Sequence, residues 1–262
     1  MAIFDNKHYQ EESVFKPENL LREAKRQKDI PDCKVPSICL LDPDGDLLDY
    51  LFRSANATLN TCWACYHSKL YSFYFEGLEI GILPCVIGSS YAVLVAEQLF
   101  VSGCALLISV TSAGIINQPG NTKKFVLITT SVRDEGTSYH YLSPERPSRL
   151  NNTLLKVLGS EEQPKDSPYF NGASWTTDAP YRETPSAIES MKTQGIICVE
   201  MEAAALYALG EVKRYNIICF AHLTNSMAQN EGDFEKGEHF GSIDTLALLR
   251  YVLTLLRPVN AE

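Results

Sequence analysis

Ile196-Ile197-Cys198-Val199-Glu200-Met201-Glu202-Ala203-Ala204-Ala205 passes from an apolar run of strand length into a stretch of strongly helical composition that continues to Gly210. A continuous apolar run of this length reads as a buried strand, and the alanine- and leucine-rich residues behind it read as the next helix. The alternation repeats outward in both directions. Upstream, Ile38–Leu41, Ser72–Phe75, Glu79–Val86, Ala105–Val110 and Phe125–Ser131 are strand-like, and Gly88-Ser89-Ser90 opens a helix over Tyr91–Phe100. Short helices are expected at Leu154–Leu158 and from Thr184 to Gln194. Downstream, Ile217–Leu223 is strand-like and Ile243–Leu256 closes the chain as a helix. Strand-length runs alternating with helices predict an α/β fold: a single domain with a mixed, twisted β-sheet flanked by helices. Residues Glu11 to Lys34 are polar and charged, and residues 1–34 read as an N-terminal arm with a helix over Leu20–Gln27; residues 35–262 are expected to form the α/β domain.

Composition narrows the functional classes. The chain has 262 residues, 45% of them hydrophobic, and a formal charge of −9. That field repels phosphate backbones and argues against a nucleic-acid binder. The most apolar stretch, Tyr91 to Val110, is broken by Glu97, Gln98 and Gly103, too interrupted to span a bilayer. A cytoplasmic protein without a membrane partner is expected, with its 8 cysteines reduced. Cys39, Cys85, Cys104, Cys198 and Cys219 sit in apolar runs as small hydrophobes, and Cys62 and Cys65 form a lone CxxC. No ligand cluster for a metal is present.

Two constellations could carry chemistry. Gly88-Ser89-Ser90 lies between a strand and a helix, the setting of a nucleophile elbow, with Asp178 and His222 following in the order of an α/β-hydrolase. Glycine and serine at such a junction more often cap a helix. The second constellation comprises three segments: Ser131-Val132-Arg133-Asp134-Glu135-Gly136-Thr137-Ser138-Tyr139-His140-Tyr141, Trp175-Thr176-Thr177-Asp178-Ala179-Pro180-Tyr181, and Val199-Glu200-Met201-Glu202 running into the helix. Arg133 reads as structural, with Asp178 as a candidate ion-pair partner. His140 reads as a core histidine.

In order and spacing these three segments resemble the family of uridine phosphorylases and purine nucleoside phosphorylases, over about Val35 to Leu256. The resemblance implies cleavage of the N-glycosidic bond of a nucleoside, with no organic cofactor and no metal, in a homo-oligomer built from dimers. It implies that Glu202 holds the ribose hydroxyls, that Met201 packs on the sugar and that Glu200 supports them. A carboxylate there also favours the positive charge that develops on the sugar as the bond breaks. By the same resemblance Trp175 stands where an aromatic ring faces the base; a buried core tryptophan is nearly as good a reading of the residue alone. Thr224 and Asn225 fall where the family recognises the base. Purine-specific members carry an aspartate there; Asn225 cannot act as an acid, but its amide can donate to and accept from a base edge.

The phosphate site departs from the pattern. Thr111, Ser112 and Gly114 keep hydroxyl and backbone donors, but Gly45 and Ser109 stand where the family has arginines. Arg53 of a neighbouring subunit is a candidate replacement. Asp42, Asp44 and Asp46 crowd the same loop and repel a dianion. Inorganic phosphate therefore stays open as a second substrate beside water. In hydrolytic relatives a carboxylate of this loop activates the water, and Asp46, before Asp44, is the candidate base. A turn exposed to solvent is an equal reading of both aspartates. A nucleoside-binding protein with a decayed phosphate site is the remaining alternative.

Overall fold

The computed structural model describes residues 4–117, 120, 122–159, 164–227 and 231–256. Helix α1 (Pro17–Lys28) precedes strand β1 (Ile38–Asp42), helix α2 (Asp46–Arg53) and strands β2 (Ala57–Leu59), β3 (Tyr71–Phe75) and β4 (Leu78–Pro84). Helix α3 (Ser89–Val101) leads to the long strands β5 (Leu106–Ile115) and β6 (Phe125–Asp134), then β7 (Ser148–Arg149), α4 (Asn152–Leu158) and β8 (Tyr169–Thr177). Helix α5 (Pro185–Thr193), strand β9 (Cys198–Glu200), helix α6 (Ala203–Lys213), strand β10 (Asn216–Asn225) and helix α7 (Ser242–Leu256) complete the order.

The strands form one mixed sheet in the order β10-β6-β8-β9-β5-β1-β4-β3-β2, with β7 beside β6. Strand β10 also pairs in parallel with β5, from Asn216 beside Leu106 to Asn225 beside Gly114. Five strands, β5, β9, β8, β6 and β10, therefore close on themselves, and β1, β4, β3 and β2 extend from β5 as an open wing. The expected mixed sheet flanked by helices is thus present, with a closed part that apolar runs alone do not reveal.

Helix α6 is buried along Ala203–Gly210. Its alanines let it lie close on the sheet, where Tyr207 donates its hydroxyl to the Ile128 carbonyl at 2.6 Å. Helix α1 packs through Leu21 and Ala24 against Ala64, with Val101 of α3 at the edge of that cluster. Beside it lies a correction to the reading of eight free thiols: Cys33 and Cys62 are bonded as a disulfide, their Cα atoms 5.5 Å apart. Apolar context carries no information on which two cysteines meet, and both of these lie outside the apolar runs. Cys39, Cys65, Cys104, Cys198 and Cys219 are free and buried, and Cys85 is free and exposed. Among the described residues no helix is long and apolar enough to cross a membrane.

Two further expectations are corrected. Arg133 makes no ion pair with Asp178. Its guanidinium donates to the Ser138 hydroxyl and to the carbonyls of Leu142, Ser143 and Arg146, bracing the loop after β6. Asp178 instead accepts the Gly136 amide at 2.8 Å. His140 lies at the surface rather than in the core, its Nδ1 2.9 Å from the Lys7 ammonium, because the short helical turn that carries it packs inward through Ser138.

Candidate active site

The carboxyl ends of parallel strands are where open α/β sheets build ligand sites. Here the ends of β1, β5 and β10 meet the junction of β9 with α6. At that junction Glu200 is fully enclosed. Its Oε2 accepts the amides of Glu202 at 2.7 Å and Ala203 at 2.8 Å, so its carboxylate caps the start of α6. Its Oε1 accepts from the hydroxyls of Ser174, at 2.9 Å, and Thr176. Ser131 extends the network with contacts of 2.8 Å to Ser174 and 2.7 Å to Thr176. Glu200 thus spends its charge within the chain and fixes the turn that presents Glu202.

Glu202 is differently placed. It is 2% exposed; Oε1 accepts the Gly88 amide at 2.7 Å, and Oε2 is buried with no hydrogen bond of good geometry among the described residues. Burial, and then the neighbouring Glu200, push its carboxyl up to about 8; the Gly88 amide and the nearby Thr111 hydroxyl offset part of this. Ser89, at the start of α3, donates its hydroxyl to the Met201 carbonyl at 2.8 Å. Gly88-Ser89 therefore clamps both sides of the Met201–Glu202 step, with Ser89 wholly enclosed. The hydrolase triad is not assembled: Asp178 is held by Gly136, and the His222 ring stacks on Phe125 with centroids 4.5 Å apart. Burial holds His222 down at about 4, so it is neutral near pH 7.

On β10, Asn225 accepts the Met227 amide at 2.9 Å and donates to the Thr224 hydroxyl at 3.1 Å. Among the described residues its second N–H and second carbonyl lone pair make no further hydrogen bond. Gly114 lies beside it in register. A Cβ on Gly114 would come within 2.7 Å of Met227 Sδ and 3.1 Å of Val199, so a larger residue requires the Met227 side chain to move and Val199 to give slightly. Trp175 is 3% exposed and packs with Ile116, Ile196 and Val199, and Met227 lies against the same cluster. Its indole N–H donates to Asp134 at 2.9 Å. That placement matches the buried alternative weighed for it.

The acidic loop faces a narrow cleft with about 20 Å³ of free space, shared with Thr111, Ser112 and His222. Asp42 is buried, its carboxylate accepting the Leu48 amide at 3.0 Å, and burial pushes it up to about 7. Asp44 Oδ2 accepts both the amide of Ser112, at 3.1 Å, and its hydroxyl, at 2.6 Å. Asp46 Oδ2 lies 2.5 Å from the ammonium of Lys236, which is also 3.4 Å from Asp44 Oδ2. Lys236 is a site residue that sequence reasoning missed. It belongs to no motif and stands 190 positions from Asp46. The segment carrying it is tied to β10 by the Glu235 amide donating to the Thr224 carbonyl at 3.0 Å.

The positions that lack arginines are closed to them. Ser109 is 1% exposed, in register with Leu41 of β1 and Cys219 of β10. Gly45 has φ +80°, and a Cβ there would lie 3.1 Å from Cys85 Sγ. Arg53 stands exposed at the far end of α2, about 10 Å along the axis from Asp46.

Among solved structures, uridine phosphorylase from Vibrio fischeri superposes with a TM-score of 0.69 at 20% identity, covering 86% of this chain and 94% of that one. AMP nucleosidase from Bacteroides thetaiotaomicron superposes with a TM-score of 0.63 at 20% identity, covering 90% and 98%. By sequence, a guanosine phosphorylase of Halorubrum lacusprofundi is 26% identical over 58% of this chain. The match spans 64% of that relative's length, just under two thirds. The sequence profile described as the phosphorylase superfamily matches residues 38–257, from the first residue of β1 through the whole of α7. The strands that carry Asp42, Thr111, Glu200 and Asn225 all fall inside that match, and the chain belongs to the phosphorylase superfamily.

Proposed function

We propose that the protein cleaves the N-glycosidic bond of a nucleoside, in a site centred on Glu202. The observation that carries this reading is the asymmetry of that carboxylate: one oxygen is fixed by the Gly88 amide, and the other is buried with no hydrogen bond of good geometry among the described residues. A buried acceptor left unpaired is costly. Vicinal ribose hydroxyls would supply the missing donors. Once they do, the ionised carboxylate favours the positive charge that grows on the sugar as the C–N bond lengthens. Met201 packs against the sugar, and Glu200 acts only by holding the turn.

Asn225, steadied by Thr224, donates to and accepts from the departing base, and Trp175 supports the wall behind it. Thr111, Ser112, Gly114 and Asp46 surround the attacking group. The reading carries with it a homo-oligomer, resting on likeness to the family, and a cytoplasmic location, resting on the N-terminal sequence rather than on the cysteines, two of which are bonded. The test is a screen of purine and pyrimidine nucleosides for released free base, with and without inorganic phosphate, and with Glu202→Gln as control. Base release that the substitution removes supports the reading; release that survives it in a folded variant defeats it.

A further inference from the structure

Asp44 takes up the Ser112 donors that the proposed reading gives to the attacking group. Its Oδ2 holds the amide and the hydroxyl of Ser112 at 3.1 and 2.6 Å, with the Lys236 ammonium at 3.4 Å. An amide, a hydroxyl and a cation converging on one oxygen are what a bound anion requires. The chain supplies that anion from its own loop. Lys236 is largely buried, at 13% side-chain exposure, and is further committed to Asp46 at 2.5 Å.

We propose that Asp44 excludes inorganic phosphate from this site and so leaves water as the attacking group, an inference that rests on the nucleoside-cleaving reading above. Three observations support it. To bind at Ser112, phosphate has to displace the Asp44 carboxylate while Asp46, and Asp42 in its ionised form, keep their places around the same cleft, so negative charge opposes its entry. The cleft, with about 20 Å³ of free space, is large enough to admit water. The cation present is a lysine already shared by two carboxylates, in place of an arginine fork free to grip a dianion. In the step that remains, the water oxygen bonds to C1′ and the C1′–N bond breaks, its electron pair leaving on the base. The proton lost by the water passes through a loop carboxylate and solvent to the base.

The experiment measures binding of inorganic phosphate to the full chain by calorimetry, for the wild type, Asp44→Ala and Asp44→Ala/Lys236→Met. The wild type is expected to show no saturable binding up to about 10 mM, and Asp44→Ala to bind at least about tenfold more tightly. The double variant is expected to lose that gain. Should Asp44→Ala fail to fold, Asp44→Asn keeps the Ser112 acceptor, removes the charge and is expected to move affinity the same way. Saturation of the wild type below about 1 mM overturns the proposal, as does a folded Asp44 variant with no gain. Formation of ribose 1-phosphate by the wild type overturns it too, whereas free ribose in phosphate-free buffer supports it. Failure to release base from any nucleoside counts against the activity itself; the phosphate titrations still decide whether Asp44 excludes phosphate.

Discussion

The amide of Gly88 and Oε1 of Glu202, 114 positions apart, are joined by a hydrogen bond of 2.7 Å. Gly88 has φ +89° and ψ 148°, a conformation that is essentially glycine's alone. The donor is aimed at the carboxylate because the residue has no side chain. This bond sets the rotamer of Glu202 and decides which oxygen is left for a ligand.

Glu202→Gln is expected to remove most base release while preserving the fold. The amide is isosteric, so the Gly88 contact to Oε1 survives, but the negative charge opposite the sugar is lost. If that charge behaves like one preorganised group, the loss is about 2.7–4 kcal/mol, a fall of about 10²–10³ in kcat. Steady-state kinetics beside a circular dichroism melt check both halves.

The same variant has a pH signature. Burial raises the folded Glu202 carboxyl from 4.5 to about 8, so folding takes up a proton between those values. Its contribution to stability is fully present below the lower value and is lost as pH rises through the upper one. Glutamine does not titrate. Wild type should therefore lose stability relative to Glu202→Gln as pH rises, by up to about 1.4 kcal/mol for each pH unit of that window. Urea unfolding of both proteins at about pH 5, 7 and 9 measures the difference, in which the shared contributions of Asp42 and His222 largely cancel.

Much of the fold is legible in the sequence because its strands are apolar and continuous. Strand β8 is not read that way. Its Ser174 and Thr176 are buried on hydrogen bonds to Glu200 and Ser131, so hydrophobic periodicity passes over it. Helix α2 is hidden by the Asp-Pro-Asp-Gly turn signal before it, although Leu47, Leu48 and Leu51 give it a buried face. In the site, Glu200, Met201 and Glu202 are legible because they are adjacent. The Gly88 donor and the Lys236 cation are not, since each reaches its partner only through tertiary packing.

Trp175→Ala is expected to destabilise the protein by about 3–5 kcal/mol, the cost of emptying a large buried site. Trp175→Phe keeps most of the volume, loses the bond to Asp134 and should cost less. Equilibrium unfolding of the two variants tests this. A Trp175→Ala variant that unfolds like wild type but has a raised KM would return the ring to the base.

Removal of the Cys33–Cys62 bond is expected to lower stability without touching the site. The cysteines are 29 positions apart, and closing a loop of that length is worth about 3–4 kcal/mol by restricting the unfolded chain. Melting with and without a thiol reductant should show the shift. Cys62→Ser should melt at the lower temperature under both conditions.

The pairing of Lys236 with Asp46 also bears on how the protein is made. The acidic loop leaves the ribosome 190 residues before the cation that neutralises it. At about 5–20 residues per second the interval is roughly 10–40 s. Through that time the three aspartates repel one another without their counter-ion, and the pocket cannot take its final form. A nascent chain that ends between Glu202 and Lys236 carries Glu200 and Glu202 but an acidic loop without its counter-ion, so such partial products are held short of a complete active centre.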